Sequence, residues 1–285
     1  MTSTVLAALV MLLLVQVTES ALTPAEDREL AQRIDSGIRP QIIRLNDTAI
    51  EDYKRPPDAA DAHEFLVIRS PWDDPIKVAD HDLAMRTLQV GGGPGPNAIY
   101  IGSSGGSHCC HTAHLIWIEG RAHDQDIPLG ESDLKIEARG GPPRLRFNDY
   151  GFAGWGDPTA PTPAPPVVLA YDPRVGEYRL DPDAMRKPAP SDAALADQAA
   201  EIRSKLEVGD SHDPLLSGAM LDLIYSGNAP SARALLDAAW PEAKLGKDEF
   251  VQAFTKQLWA GETWRRFDLG RHLEADQAFP APPAP

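Results

Sequence analysis

Residues 102–114 (GSSGGSHCCHTAH) gather the chemistry-bearing side chains of this chain more densely than any other stretch. Both cysteines of the protein, Cys109 and Cys110, are adjacent here, and His108, His111 and His114 flank them. Three chemistries fit. The first is a disulfide between Cys109 and Cys110. Neither thiol has another partner in the chain, and an oxidising compartment would favour the bond. Consecutive Cα atoms lie about 3.8 Å apart, below the usual disulfide range of about 4.4–6.8 Å. The bridge would be strained and readily reduced, in a tight turn that the nearby glycines tolerate. The second is a metal site. A regular strand over residues 108–118 puts His108, Cys110, Thr112 and His114 on one face, and thiolate with imidazole suits zinc or copper. His111 is a further candidate ligand, but adjacent cysteines point to opposite faces and do not easily share one ion. The third is no chemistry, with small half-buried thiols and surface histidines.

Other motifs are weaker. Residues 93–98 (GPGPNA) match G-x-G-x-x-A, but two prolines remove the N–H groups that would hold a pyrophosphate. A strand-like run follows instead of a helix, so a glycine-rich hairpin loop is expected. Residues 147–152 (FNDYGF) resemble a worn calcium loop of the kind between β-propeller strands, with Asn148 and Asp149 as its candidate ligands. Tyr150 and Phe152 break the alternating oxygen pattern, and a structural turn is the competing reading. Asp80, His81 and Asp82 could polarise a histidine, although 42 acidic residues make such neighbours common.

Elements that would position these residues follow from periodicity. Residues 24–36 predict a short helix with a first-turn proline and Gly37 as its stop. Between residues 60 and 182, short β-branched and aromatic runs are separated by Pro, Gly, Asp and Asn. They fall at 63–70, 83–90, 97–103, 111–119, 133–138, 144–147, 166–171 and 177–180. This spacing predicts antiparallel β structure of hairpins or propeller-like blades, with no helix between runs to build a parallel sheet. Residues 158–166 (PTAPTPAPP) predict an extended surface loop.

After Pro190 the periodicity turns helical. Helices are expected at 191–206, from Pro214 to Gly227, from Pro230 to Pro241 with Ala234, Leu235 and Ala238 inward, and at 247–259. The second and third resemble a single tetratricopeptide-type hairpin, through Gly227, Ala232, Leu236, Ala239 and Pro241. One copy is too few for a repeat array, so a small bundle is expected. The expected class is therefore α+β: residues 21–59 a helix and connecting segment, 60–182 an antiparallel β domain, 190–272 a helical bundle, and 276–285 a disordered Pro/Ala tail.

Residues 5–17 (VLAALVMLLLVQV) span roughly 20 Å as a helix, short of a hydrocarbon core of about 30 Å but the right size for a secretory signal. Thr18 and Ser20 would sit at −3 and −1 of a cleavage after Ser20. The start MTST carries no Lys or Arg. Export of a soluble chain with no later membrane span is the expectation, in the periplasm or outside the cell. The formal net charge is −15, which disfavours nucleic acid and anionic lipid as partners.

Three features together resemble uncharacterised exported bacterial proteins. They are the Gly105-Gly106-Ser107-His108-Cys109-Cys110 strand, the VVLAYDPRVGEYRLD hairpin at 167–181, and MLDLIYSGNA at 220–229. The resemblance implies localisation and architecture and supplies no catalytic residue. The expected function is a non-enzymatic binding or envelope-associated protein of unknown ligand. The alternatives are a redox or metal-dependent envelope enzyme using the His-Cys-Cys-His cluster, and a protein–protein adaptor working through the helical hairpin.

Overall fold

The computed structural model describes residues 22–45, 47–56, 59, 62–88, 98–104, 111–119, 121–139, 141–155, 162–206 and 214–282. Helix α1 (Pro24–Asp35) opens on a reciprocal cap. The Thr23 hydroxyl accepts from the Glu26 N–H, and the Glu26 carboxylate accepts from the Thr23 N–H. Such a capping box satisfies two backbone donors that a helix start leaves free.

Twelve strands follow as three four-stranded antiparallel sheets. The first holds β1 (Gln41–Leu45), β2 (Thr48–Tyr53), β3 (Glu64–Arg69) and β4 (Ile76–Asp80). The middle sheet holds β5 (Asp82–Leu88), β6 (Ala98–Ser104), β7 (His111–Glu119) and β8 (Arg121–Gly130). The third holds β9 (Lys135–Arg139), β10 (Gly141–Asn148), β11 (Pro166–Asp172) and β12 (Glu177–Leu180). Neighbours in each sheet are neighbours in sequence, so each is a meander, blade-like as expected, and the whole is α+β.

Alternation along the strands stacks the layers. Phe65 and Val67 of β3 bury against Leu30 of α1, while Leu66 and Ile68 bury with Leu83 and Ile116 of the middle sheet. On β7, Ile116 faces the first sheet, while Ala113, Leu115 and Trp117 join the core of the third sheet with Leu145 and Leu169. Side chains two apart share a face, so a strand sandwiched on both sides reads as a continuous apolar run. EFLVIR and HLIWI are such runs. The middle and third sheets are also tied at their edges. The Gln125 side-chain amide donates to the Tyr178 carbonyl at 2.8 Å, and its oxygen accepts from the Tyr178 N–H at 2.9 Å.

The C-terminal region holds α2 (Pro182–Met185), α3 (Asp192–Leu206), α4 (Pro214–Tyr225), α5 (Ala229–Ala239), α6 (Lys247–Ala260), α7 (Glu262–Arg266) and α8 (Leu269–His272). It shares one hydrophobic core with the middle and third sheets, running from Ala113 to Phe279. The change of composition near residue 190 therefore marks a change of secondary structure and no gap in packing.

Several expectations need correction. Residues 21–59 carry β1 and β2 as well as the helix, and β4 and β8 were not foreseen. Three of these four are sheet edges, where one side meets water and the sequence is correspondingly polar. The last residue of the proline stretch opens β11, as the run at 166–171 predicted: Pro166 lies opposite Asn148, at a first-residue position that proline tolerates. Ala234 is exposed, and Ala232, Leu235, Leu236 and Ala239 form the buried stripe of α5. The tail at 276–282 is anchored at one residue, because Phe279 has an apolar ring to bury while most of its neighbours stay exposed. Phe279 is 1% exposed, sits 5.7 Å from the Phe254 ring, and its carbonyl accepts from the Trp259 indole N–H. Residues 283–285 lie outside the described residues.

Gly227 ends α4 at φ +76°, and a Cβ there would lie 3.2 Å from Arg186 Cγ. Gly227→Ala should cost about 1–3 kcal/mol of stability through the left-handed backbone and the contact. Urea denaturation reads this directly, with a loss below about 0.5 kcal/mol contradicting it.

Candidate functional site

The β7 register decides the fate of the histidine–cysteine cluster. His114 lies opposite Asp126 of β8, and its Nδ1 is 2.5 Å from Asp126 Oδ1. It shares a face with Ile116, toward the first sheet. His111 is an odd number of residues away and lies on the opposite face, across from Gly130. Of the candidate ligands His108, Cys110, His111 and His114, the two described, His111 and His114, are on opposite sides of one sheet and do not face the same ion. His108, Cys109 and Cys110 lie outside the described residues, in the connection between Ser104 and His111. Among the described residues no group of three or more His, Cys, Asp or Glu is arranged to hold a metal.

The calcium-loop expectation at Asn148 and Asp149 is also corrected. Asp149 is buried, and its oxygens accept from the Gly151 N–H at 2.8 Å and the Tyr225 hydroxyl at 2.5 Å, with the Thr263 side chain as a further partner. Asn148 gives its backbone N–H to Ser132 Oγ. The segment is a structural turn that anchors the helices. Burial pushes the Asp149 carboxyl above the ordinary range, against the lowering effect of its three donors. Asp80, His81 and Asp82 likewise have separate partners. Asp80 accepts from the His81 backbone, the His81 ring stacks on His63 at 5.0 Å, and Asp82 pairs with Arg55 at 3.1 Å.

What the fold does assemble is a cleft of about 420 Å³, where the start of β5 meets the ends of β2 and β3 and the turn after β8. Lys54, Glu64, Asp82, Arg86, His111 and Asp133 supply its ionisable lining, with Leu129 and Leu134 among the apolar parts. One side is pinned. The Lys54 ammonium donates to Glu64 at 3.1 Å and to the Leu83 carbonyl at 3.2 Å, and lies 3.4 Å from Asp52. Glu64 also accepts from the Leu83 N–H at 3.0 Å. Desolvation is the largest influence on Lys54 and would lower it, but Glu64 and Asp52 together outweigh it and hold the ammonium above its usual pKa. Burial raises the neighbouring Asp52 carboxyl, opposed by Lys54 and reinforced by Glu64. Ser132 is fixed by the Asn148 N–H and the Asp133 carbonyl.

Three ionisable lining groups are uncommitted among the described residues. Arg86, His111 and the Asp133 carboxylate have no ion pair or side-chain hydrogen bond to any described residue. Cleft residues such as Lys54, Glu64, Arg86 and Asp133 carried no motif. They come from separate strands and a turn, and only the stacking of the sheets brings them together. Of the described residues in the 102–114 stretch, Gly102, His111 and Thr112 line the cleft, and His111 is the ionisable one among them.

Comparison with protein-family models, with curated proteins and with solved structures found no match to this chain.

Proposed function

We propose that the protein is an exported, non-enzymatic binding protein that holds a ligand carrying polar or charged groups in this cleft. The observation that carries the reading is the division of the lining. Lys54, Glu64 and Asp82 are locked to one another, to Arg55 and to backbone, whereas Arg86, His111 and Asp133 are available. A pre-set wall with a few free polar groups is how small-molecule sites obtain specificity without an ordering cost at each group. The Lys54 ammonium and the Glu64 carboxylate are each tied to Leu83. Export is supported by the apolar run at 5–17 and the small residues before Ala21.

A redox or metal-dependent role is the second reading, favoured by one observation. His111 lines the cleft, and Cys110 and Cys109 precede it by one and two residues along the chain.

Thermal unfolding against a panel of small carboxylates, amines and neutral sugars tests the first reading. A solute at about a hundred times its Kd stabilises by roughly 2.7 kcal/mol. One class should raise Tm saturably in the wild type and fail to do so in an Arg86→Ala/His111→Ala double variant. A flat panel, or an equal shift in the variant, overturns the reading. Mass spectrometry of the exported chain, with and without thiol alkylation, separates the alternatives. A chain starting at Ala21, two hydrogens light and unalkylated, fits the binding protein. Alkylatable thiols with a stoichiometric metal fit the enzyme.

A further inference from the structure

We infer that the cleft ligand is an extended peptide, which adds as a strand to the free edge of β5 and places a carboxylate at Arg86. The inference rests on the cleft being the ligand site. It starts from the edge itself. β5 is an outer strand of the middle sheet, and β6 covers only one side of it. The β5–β6 register runs without a shift from Asp82 opposite Ser104 to Leu88 opposite Ala98. Leu83 gives its N–H to Glu64 and its carbonyl to Lys54, so both groups point away from β6. Backbone groups of an antiparallel strand alternate in direction with period two. Met85 and Thr87 must then also direct their N–H and C=O outward. Neither makes an outward hydrogen bond to a described residue. Among the described residues they are two consecutive open rungs of a ladder.

The Lys54–Glu64 pair shows how this edge is satisfied where it is closed. One carboxylate accepts from Leu83 and one ammonium donates to it, which reproduces the two bonds a neighbouring strand would make. That pair ends the open edge at residue 83 and leaves residues 85 and 87 for a partner. Beside the edge, the exposed Ala84 lies opposite Gly102, so the sheet surface next to it is shallow. Alternate side chains of an added strand would fit over it. Arg86 is exposed on that same face with no ionic partner among the described residues. A guanidinium recognises a carboxylate in a fixed bidentate geometry. A carboxylate is the complementary group, and strand addition gives main-chain affinity with side-chain pockets for selectivity.

Fluorescence polarisation tests this with a labelled hexapeptide of alternating Val and Thr ending in a free carboxylate. The intact protein should bind it. C-terminal amidation of the peptide, or Arg86→Ala in the protein, should weaken binding at least fivefold. Methylation of every internal peptide amide should weaken it more than tenfold, because the donors to β5 are gone. Thr87→Pro removes an outward N–H without touching the β6 ladder, and should weaken binding at least fivefold with the circular dichroism and Tm retained. Equal binding of the methylated peptide, or no binding of the parent peptide at millimolar concentration, overturns the inference. The cleft reading would then stand or fall separately, on whether any small solute raises Tm.

Discussion

Trp117→Ala should lower stability by roughly 3–5 kcal/mol, the cost of deleting a large buried aromatic side chain. The ring is 2% exposed and stands between the middle and third sheets. It stacks on His123 at 5.5 Å with planes 5° apart, and meets Tyr171 edge-on at 6.3 Å. The β ladders on either side hold the cavity open, so collapse would recover little of the loss. Its indole N–H is buried without a hydrogen-bond partner among the described residues. Trp117→Phe removes that orphan donor along with some volume, and the two effects oppose each other. The phenylalanine variant should stay within about 1.5 kcal/mol of wild type, the usual bound for hydrophobic swaps of similar size. Urea denaturation of both variants checks the pair. A loss below about 1 kcal/mol in the alanine variant would show that this ring does not join the two sheets.

Tyr225→Phe should cost roughly 1.5–3 kcal/mol where Asp149 is ionised, the range for a hydrogen bond to a charged group. The Tyr225 hydroxyl reaches from α4 to Asp149 in the turn after β10, so it couples the helices to the third sheet. Burial, with the Asp149 charge adding to it, pushes the phenol well above its ordinary pKa, and it stays a donor throughout. Asp149 is raised in the folded state, chiefly by desolvation. Its own contribution to stability is therefore fully present below the unfolded pKa of about 3.9 and is lost as pH rises through the higher folded value. Removing the hydroxyl takes away one stabiliser of the charged form and raises the folded pKa further. The stability gap between wild type and variant should then be smallest where Asp149 is protonated in both, and should widen as pH rises. Thermal unfolding from pH 4 to pH 8 reads the gap. A constant gap, or one that narrows with pH, would show that Asp149 is not the hydroxyl's energetic partner.

Much of the architecture was legible along the chain. β7 and β12 fall on the residues that alternation predicted, and α1, α3, α4 and α6 within a residue or two of theirs. Caps, glycine stops and apolar period are local properties, and neighbours in sequence suffice to express them. β1, β4 and β8 escaped because an edge strand needs only one buried side and borrows its pairing from the next strand. The acidic composition, the apolar N-terminal run and the crowding of Cys109, Cys110 and three histidines belong to the sequence alone. Tertiary structure decided what those side chains can share. A period of two sent His111 and His114 to opposite faces, and burial turned Asp149 from a candidate ligand into an anchor for Tyr225. The cleft was invisible beforehand because Lys54, Glu64, Arg86 and Asp133 are far apart in the chain. They meet only because apolar faces on both sides of β3 and β7 force the sheets to stack.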